Sequence, residues 1–495
     1  MSDKRQKTCS RETEQQQLLT FAAEGRDESP DDPVEGIASL MADSETQSPT
    51  GTDRLMERIC APANLDCAMA RVIGNDGAPG VDGMRVSQLE KYFERHADRI
   101  TGELLTGTYR PQPVKRVEIP KPDGGMRKLG IPTAVDRVIQ QAILLVLGPM
   151  WDETFSDNSF GFRPFRSAHD AVARAQSYLA QGYTWVVDMD LEKFFDRVNH
   201  DVLMGRVARR VEDKRLLKLI RAFLNSGVMV DGLFSGTHEG TPQGGPLSPL
   251  LSNLLLDELD RELESRGLRF ARYADDCNVY VKSERAGKRV LQSLTNWLAK
   301  RLRLQVNEQK SAVDRPWKRK FLGFTFTTHR KRSISKQARK KFKNRVRKLT
   351  KRNRGSSLQR VVSELRSYLI GWRGYFGFCQ TPSVLRDFDS WIGRRLRSYT
   401  WKQWKTGKRR FIELRKLGVG KELAAQTAGS RKGGWHEFIF TGQQPFSSPE
   451  FRLVWQGTGG TGRAIASQTT CQESLTSRIA VVRTRMPGGV GGGRL

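Results

Sequence analysis

The sequence is short of the residues that build several familiar sites. Its six cysteines (Cys9, Cys60, Cys67, Cys277, Cys379 and Cys471) include no C-x-x-C pair. With no secretory signal, they are expected to be reduced thiols in a cytoplasmic protein rather than a disulfide framework. Only six histidines occur, none in an H-E-x-x-H pattern, and no G-x-x-x-x-G-K-[ST] loop is present. Zinc-hydrolase and P-loop chemistry therefore have no support. The longest apolar stretch, around Ala142 to Trp151, is too short to span a bilayer, so no membrane partner is expected. Acidic residues are the scarcer charge: 84 Lys and Arg face 54 Asp and Glu, a formal charge of +30 over 495 residues. A field of that sign points to nucleic acid as partner, although a purely structural RNA-binding protein would share it.

The acidic residues that remain are placed unusually. Tyr273-Ala274-Asp275-Asp276 lies between two runs of strand character, residues 268–272 and 277–281, which makes a hairpin with two carboxylates at its tip. An isolated Asp-Asp is usually a solvated turn. Adjacent carboxylates repel, however, and divalent cations relieve that repulsion; two metals held about 3.5–4 Å apart form the clamp used for in-line phosphoryl transfer. A second acidic block is Val186-Val187-Asp188-Met189-Asp190, at the end of an expected strand over 184–191. The period of two puts Asp188 and Asp190 on one face, so either can join the hairpin carboxylates. Asp190 is preferred because it lies nearer the strand end, and Asp196 is expected to cap a turn or anchor the next helix.

Other segments fit around these. Residues 114–119 and 127–131 bracket Pro122-Asp123-Gly124-Gly125, a basic hairpin suited to gripping a triphosphate. Helices are expected over 87–105, 136–147 and 250–263. Gly240-Thr241-Pro242-Gln243-Gly244-Gly245-Pro246-Leu247-Ser248-Pro249 is a loop that lets the backbone pass close to a neighbour. From Arg330 to Arg354 there are fourteen Lys or Arg and no acid, at spacing that allows helix. Aromatics follow at Tyr368, Trp372, Tyr375, Phe376, Phe378, Phe388, Trp391, Tyr399, Trp401 and Trp404. Basic and aromatic residues interleaved in this way suit phosphate contact with base stacking, or else form an aromatic core with basic flanks.

In order and spacing these blocks resemble the reverse transcriptases encoded within bacterial group II introns. The likeness runs over about residues 60 to 420. It rests on the 119–131 hairpin, Asn158-Ser159-Phe160-Gly161-Phe162-Arg163-Pro164, Asp190 followed by Phe194-Phe195-Asp196, Pro242 to Pro249, Tyr273-Ala274-Asp275-Asp276, Asn307 to Ser311, Phe321-Leu322-Gly323-Phe324, and the aromatic segments 368–378 and 391–404. The resemblance implies an α+β right-hand polymerase fold, with fingers and an antiparallel palm sheet followed by an α-helical thumb or maturase domain. The expected division is an acidic, disordered extension over 1–54, fingers over 55–180, palm over 181–328, thumb over 329–425 and a poorly defined tail over 426–495.

It also implies roles. Asp190, Asp275 and Asp276 would bind two Mg²⁺ ions and carry catalysis. Arg127 and Lys121 would contact the incoming triphosphate, and Gln243 would lie near the nucleotide sugar. Phe195 would be the gate against a 2′-hydroxyl, with Phe194 the alternative, and Lys310 a candidate for protonating pyrophosphate. Implied partners are group II intron RNA, an RNA template with a DNA primer, target DNA and dNTPs. Some family members carry a C-terminal HNH nuclease; after Thr328 only Cys379, Cys471, His329 and His436 are available, too few for that site. Second-strand cleavage is therefore not expected, and priming from a nascent strand at a replication fork would replace it. A non-catalytic splicing factor would share the charge, but its palm carboxylates would be free to decay, and all are intact. A relative recruited to phage defence or CRISPR adaptation would share the palm; the Pro242–Pro249 loop and the thumb count mildly against it.

Overall fold

The computed structural model describes residues 54–120, 126–230, 233–235, 240 and 244–430. The acidic extension, the tip of the basic hairpin and the chain beyond residue 430 lie outside them. The chain divides into two compact units, residues 1–339 with 371–380, and residues 340–370 with 381–495.

The first unit opens with α1 (Leu55–Cys60), α2 (Pro62–Gly74) and, after a 3₁₀ turn at Val86–Gln88, α3 (Leu89–Leu105). Strands β1 (Val114–Pro120) and β2 (Met126–Ile131) pair antiparallel, Lys115 opposite Ile131 through Pro120 opposite Met126. Next comes α4 (Ala134–Asp152), buried along most of its length, with Asp136, Arg137, Gln140 and Gln141 enclosed beside its apolar residues. Thr133 caps it, its hydroxyl accepting the Asp136 N–H at 3.1 Å. α5 (Ala168–Ala180) leads to β3 (Trp185–Met189), then α6 (Phe194–Arg197), α7 (His200–Val207), α8 (Lys214–Leu224), β4 (Val228–Val230) and β5 (Leu233–Ser235). The buried α9 (Ser248–Ser265) precedes β6 (Arg269–Tyr273), β7 (Asp276–Val281), α10 (Glu284–Arg301), β8 (Ala312–Asp314), β9 (Phe324–Phe326) and β10 (Arg332–Ile334).

Two four-stranded sheets result, ordered β2-β1-β4-β5 and β6-β7-β3-β8, with β9 and β10 a separate pair. In the second sheet α10 lies across β3, β7 and β8, while α5 lies on β6 and β7. One apolar core joins these layers, including Val187 and Met189 of β3, Phe270 of β6, Val279 of β7 and Leu255 of α9.

The basic stretch departs from the helix its spacing allows: Arg332-Ser333-Ile334 pairs with β9, and the helix α11 starts only at Lys336 and ends at Leu349. Ser335 supplies the reason, because its N–H reaches the carbonyl of Gly323 and its hydroxyl accepts the Ala338 N–H. It ends the strand and caps the helix together. α12 (Leu358–Phe376), α13 (Pro382–Gln403), α14 (Gly407–Lys416) and α15 (Lys421–Gly429) follow. The second unit has its own small core of Trp401, Leu414, Val419, Ala424 and Ala428. No described helix is long and apolar enough to cross a membrane.

Candidate active site

Tyr273 pairs with Asp276, so Ala274 and Asp275 form a two-residue turn between β6 and β7. Ala274 has φ +55°, the left-handed conformation that tight hairpins require. On its other edge β7 pairs with β3, Asp188 opposite Asn278 and Met189 opposite Cys277. The residue after β3, Asp190, therefore leaves the sheet beside Asp276. The strand is shorter than 184–191, and Asp190 sits just past its end. There its N–H donates to the Ser311 hydroxyl at 3.0 Å, and its carbonyl accepts the Asn307 N–H at 2.8 Å. Lys310 Nζ stands 3.4 Å from Asp190 Oδ2. Asp188 and Asp190 thus have different surroundings. Asp188 is clasped by Arg319, whose guanidinium nitrogens lie 2.6 and 2.8 Å from Oδ2, a contact with no signal in the sequence pattern.

Charge is crowded here. Enclosure by protein, then repulsion from Asp275, Asp188 and Asp190, pushes the Asp276 carboxyl up to about 7. Its side chain nevertheless keeps an exposed surface. The carboxylate opens to water from a concave site with protein on its flanks. Burial raises the Asp188 carboxyl as well, against the opposing pull of Arg319. Among the described residues no three His, Cys, Asp or Glu side chains converge closely enough to hold a metal by themselves. The donor chemistry still fits a divalent cation, since hard oxygen ligands crowded by like charge are what such an ion stabilises. Mg²⁺ in particular is usually held by one or two carboxylates with water and substrate phosphates, not by an all-protein cage.

Around the carboxylates, Phe194 is 2% exposed and belongs to the core, whereas its neighbour Phe195, edge-on at 5.2 Å, is only half-buried. Asp196 lies inside α6; Asn199 caps α7, its Oδ1 accepting the N–H groups of Asp201 and Val202. Arg127 lies in β2 opposite Ile119. Lys121 and Gln243 lie outside the described residues. The flanks of the Gln243 loop are pinned. His200 Nε2 is 2.6 Å from the Gly240 carbonyl, and a Cβ on Gly244 or Gly245 would meet Gly130 O at 2.6 Å or Gln140 Oε1 at 2.4 Å. The close approach that these glycines permit is to the protein's own β2 and α4.

The aromatic segments divide between the two uses open to them. Trp372, Phe376, Phe388, Tyr399 and Trp401 are at most 7% exposed and serve as core, which removes them as base-stacking surfaces. Within the second unit the half-buried Trp391 has Arg395, Arg347 and Lys343 at 5.4, 5.8 and 5.9 Å from its ring. A cation-flanked, partly open ring of this kind retains the capacity to stack on a base.

Acidic residues at the tip of an antiparallel hairpin, joined by a carboxylate from the adjoining strand, define the palm of a polymerase, and the comparisons specify which. The reverse transcriptase (RNA-dependent DNA polymerase) family matches residues 119–326, and the group II intron maturase-specific domain matches residues 339–418. Residues 119–326 of this chain thus resemble a reverse transcriptase domain, and residues 339–418 resemble a group II intron maturase-specific domain. Similar proteins include protein YkfC of Escherichia coli, 35% identical over 43% of this chain and 58% of that one. The group II intron-encoded protein LtrA of Lactococcus lactis is 32% identical over 44% of this chain and 36% of that one. This chain therefore aligns with 58% and 36% of the lengths of these two relatives. Among solved structures, a partial Cas6-RT-Cas1–Cas2 complex aligns with 49% of this chain and 42% of that one at 26% identity, with a TM-score of 0.33, too loose a superposition to bear on function. Reverse transcriptases as a family use divalent metal ions.

Proposed function

We propose that this protein is an RNA-directed DNA polymerase that copies group II intron RNA into cDNA, and that its maturase-specific domain binds the same RNA to assist splicing and mobility. The observation that carries the proposal is the strand register setting Asp190 beside Asp276 at the tip of the Asp275-Asp276 hairpin. Two Mg²⁺ ions bound by Asp190, Asp275 and Asp276 would activate the primer 3′-hydroxyl and neutralise the triphosphate and the departing pyrophosphate. The chain's own groups do the rest. Arg127 and Lys121 would contact the triphosphate, and Gln243 would contact the nucleotide sugar. Phe195 is the partly open member of the Phe pair, which supports it as the surface excluding a 2′-hydroxyl. Lys310, 59% exposed and 3.4 Å from Asp190, would give a proton to pyrophosphate. Template RNA, DNA primer, target DNA and dNTPs are the partners, in the cytoplasm.

The test is primer extension on an RNA template with Mg²⁺ and dNTPs, comparing wild type with Asp275→Asn. Extension by wild type alone, with RNA affinity of the variant within a few fold, is the expected outcome. Equal extension by both proteins removes Asp275 from catalysis. Folded wild type that binds RNA and extends nothing overturns the polymerase assignment.

A further inference from the structure

The turn bearing Asp275 and Asp276 holds like charges together in a left-handed conformation, so something else must hold it in place. Immediately before it stands Arg272, 0% exposed inside the protein. All five of its guanidinium N–H groups have acceptors. Nε and one terminal nitrogen donate to Asp260 Oδ1 and Oδ2 of α9 at 2.7 and 2.5 Å. The same terminal nitrogen reaches the Ser159 hydroxyl at 2.8 Å. The other donates to Asn253 Oδ1 at 3.1 Å and to the carbonyl of Ala274, within the turn itself, at 2.9 Å. Asn253 in turn donates to the Gly161 carbonyl at 2.8 Å. Asn158 and Phe160 bond the backbone of Arg272 on the free edge of β6, each at 2.9 Å.

We propose that Arg272 is a positioning residue for nucleotidyl transfer. With Asp260, Asn253 and Ser159 it forms a buried bracket that fixes the Ala274 carbonyl, and so the direction in which Asp275 and Asp276 project. This side chain ties both Ser159 and helix α9 to the turn. The Asp260 ion pair takes two of the five N–H groups. The fork spent on Ala274 and Asn253 goes to the turn, and a lysine, as a point charge, cannot reproduce it.

The proposal rests on the polymerase assignment only for its kinetic arm. In the full-length protein, Asn253→Ala removes one acceptor of Arg272 and leaves the ion pair intact. Ser159→Ala is the milder change should Asn253→Ala fail to fold, and Arg272→Lys keeps the charge beside Asp260. The readouts are melting temperature, hydrogen exchange of peptides spanning 270–277 against 185–189, and kcat and KM for primer–template and dNTP. One lost hydrogen bond to a charged group corresponds to roughly tenfold. We expect about tenfold faster exchange in the turn peptide alone and a kcat lower by about tenfold or more, with both KM values unchanged and melting within a few degrees. Arg272→Lys is expected to show the same split. Exchange and kcat at wild-type levels in a folded variant overturn the proposal, as does loss of protection spread evenly over both peptides. If wild type extends no primer, the assigned activity fails, and the exchange arm alone decides the bracket.

Discussion

Gly161 offers the most direct way to move the Asp275-Asp276 turn without changing any of its residues. A Cβ built on Gly161 would lie 2.3 Å from Ala274 N, 3.0 Å from the Tyr273 carbonyl carbon and 3.2 Å from Ala274 Cα. All three are backbone atoms of the turn, so no flexible side chain can swing aside. Ordinary contact begins near 3.5 Å, so Gly161→Ala demands a retreat of roughly 1 Å. Asn253 holds the Gly161 carbonyl from behind, which directs most of that retreat into the turn. A displacement of about 1 Å in a reacting geometry costs on the order of 10²-fold in rate. The folding cost of overpacking is about 1–3 kcal/mol, small enough for the protein to remain folded. The assay is single-turnover primer extension beside RNA binding and thermal melting, with Gly102→Ala as control, since nothing lies within 4 Å of a Cβ there. Folded Gly161→Ala is expected to bind RNA normally and extend about a hundredfold more slowly. Extension within threefold of wild type would refute the view that Gly161 and the turn move together.

Two further outcomes concern stability. Phe165 is 74% exposed and has φ +56°, a conformation costing a non-glycine residue about 1–2 kcal/mol. Glycine relieves that at an entropic cost of roughly 0.5–1 kcal/mol, so Phe165→Gly is expected to melt at the same temperature or slightly above wild type, and a fall of several degrees would show that the ring packs after all. Asp136 is buried, and desolvation pushes its carboxyl to about 6 from the usual 3.8, despite donors from Thr133, Tyr109 and the Gln112 N–H. The folded state therefore binds this proton more tightly than the unfolded chain. The contribution of Asp136 is most favourable below pH 4, declines by about 3 kcal/mol as pH rises to 6, and is level above. Unfolding free energies of wild type minus Asp136→Asn should trace that decline; a flat or rising difference would show that its carboxyl is not raised.

The hairpin, the acidic turn and the basic stretch were readable because each depends on local pattern: alternation, turn chemistry and charge density. What the sequence did not disclose depends on partners far along the chain. Arg319 reaches Asp188 across 131 positions and Arg272 reaches Ser159 across 113, and no local periodicity marks either pair. A signal did exist for the second, since an arginine within Arg269-Phe270-Ala271-Arg272-Tyr273 occupies a strand that is otherwise buried from Phe270 onward. A charge in such a place needs a buried partner. The aromatic segments misled for a different reason. Their spacing fits a helix face equally well whether that face meets a core or a base, and only burial separates Trp401 from Trp391.

The arrangement also explains why the carboxylates need so much support. Asp188 in β3 and Asp190 just past its end both approach Asp276, so like charges crowd the site from several directions. Arg319 neutralises Asp188 at 2.6 Å, which leaves Asp190 the more open carboxylate of β3. Lys310, at 3.4 Å, is a looser partner for Asp190, mostly exposed and able to leave when a cation or a phosphate arrives. The two aspartates thus differ in their pairing, Asp188 close to a half-buried arginine and Asp190 farther from an exposed lysine. The backbone of Asp190 is fixed independently by Ser311 and Asn307, so Lys310 can be released without moving the strand end.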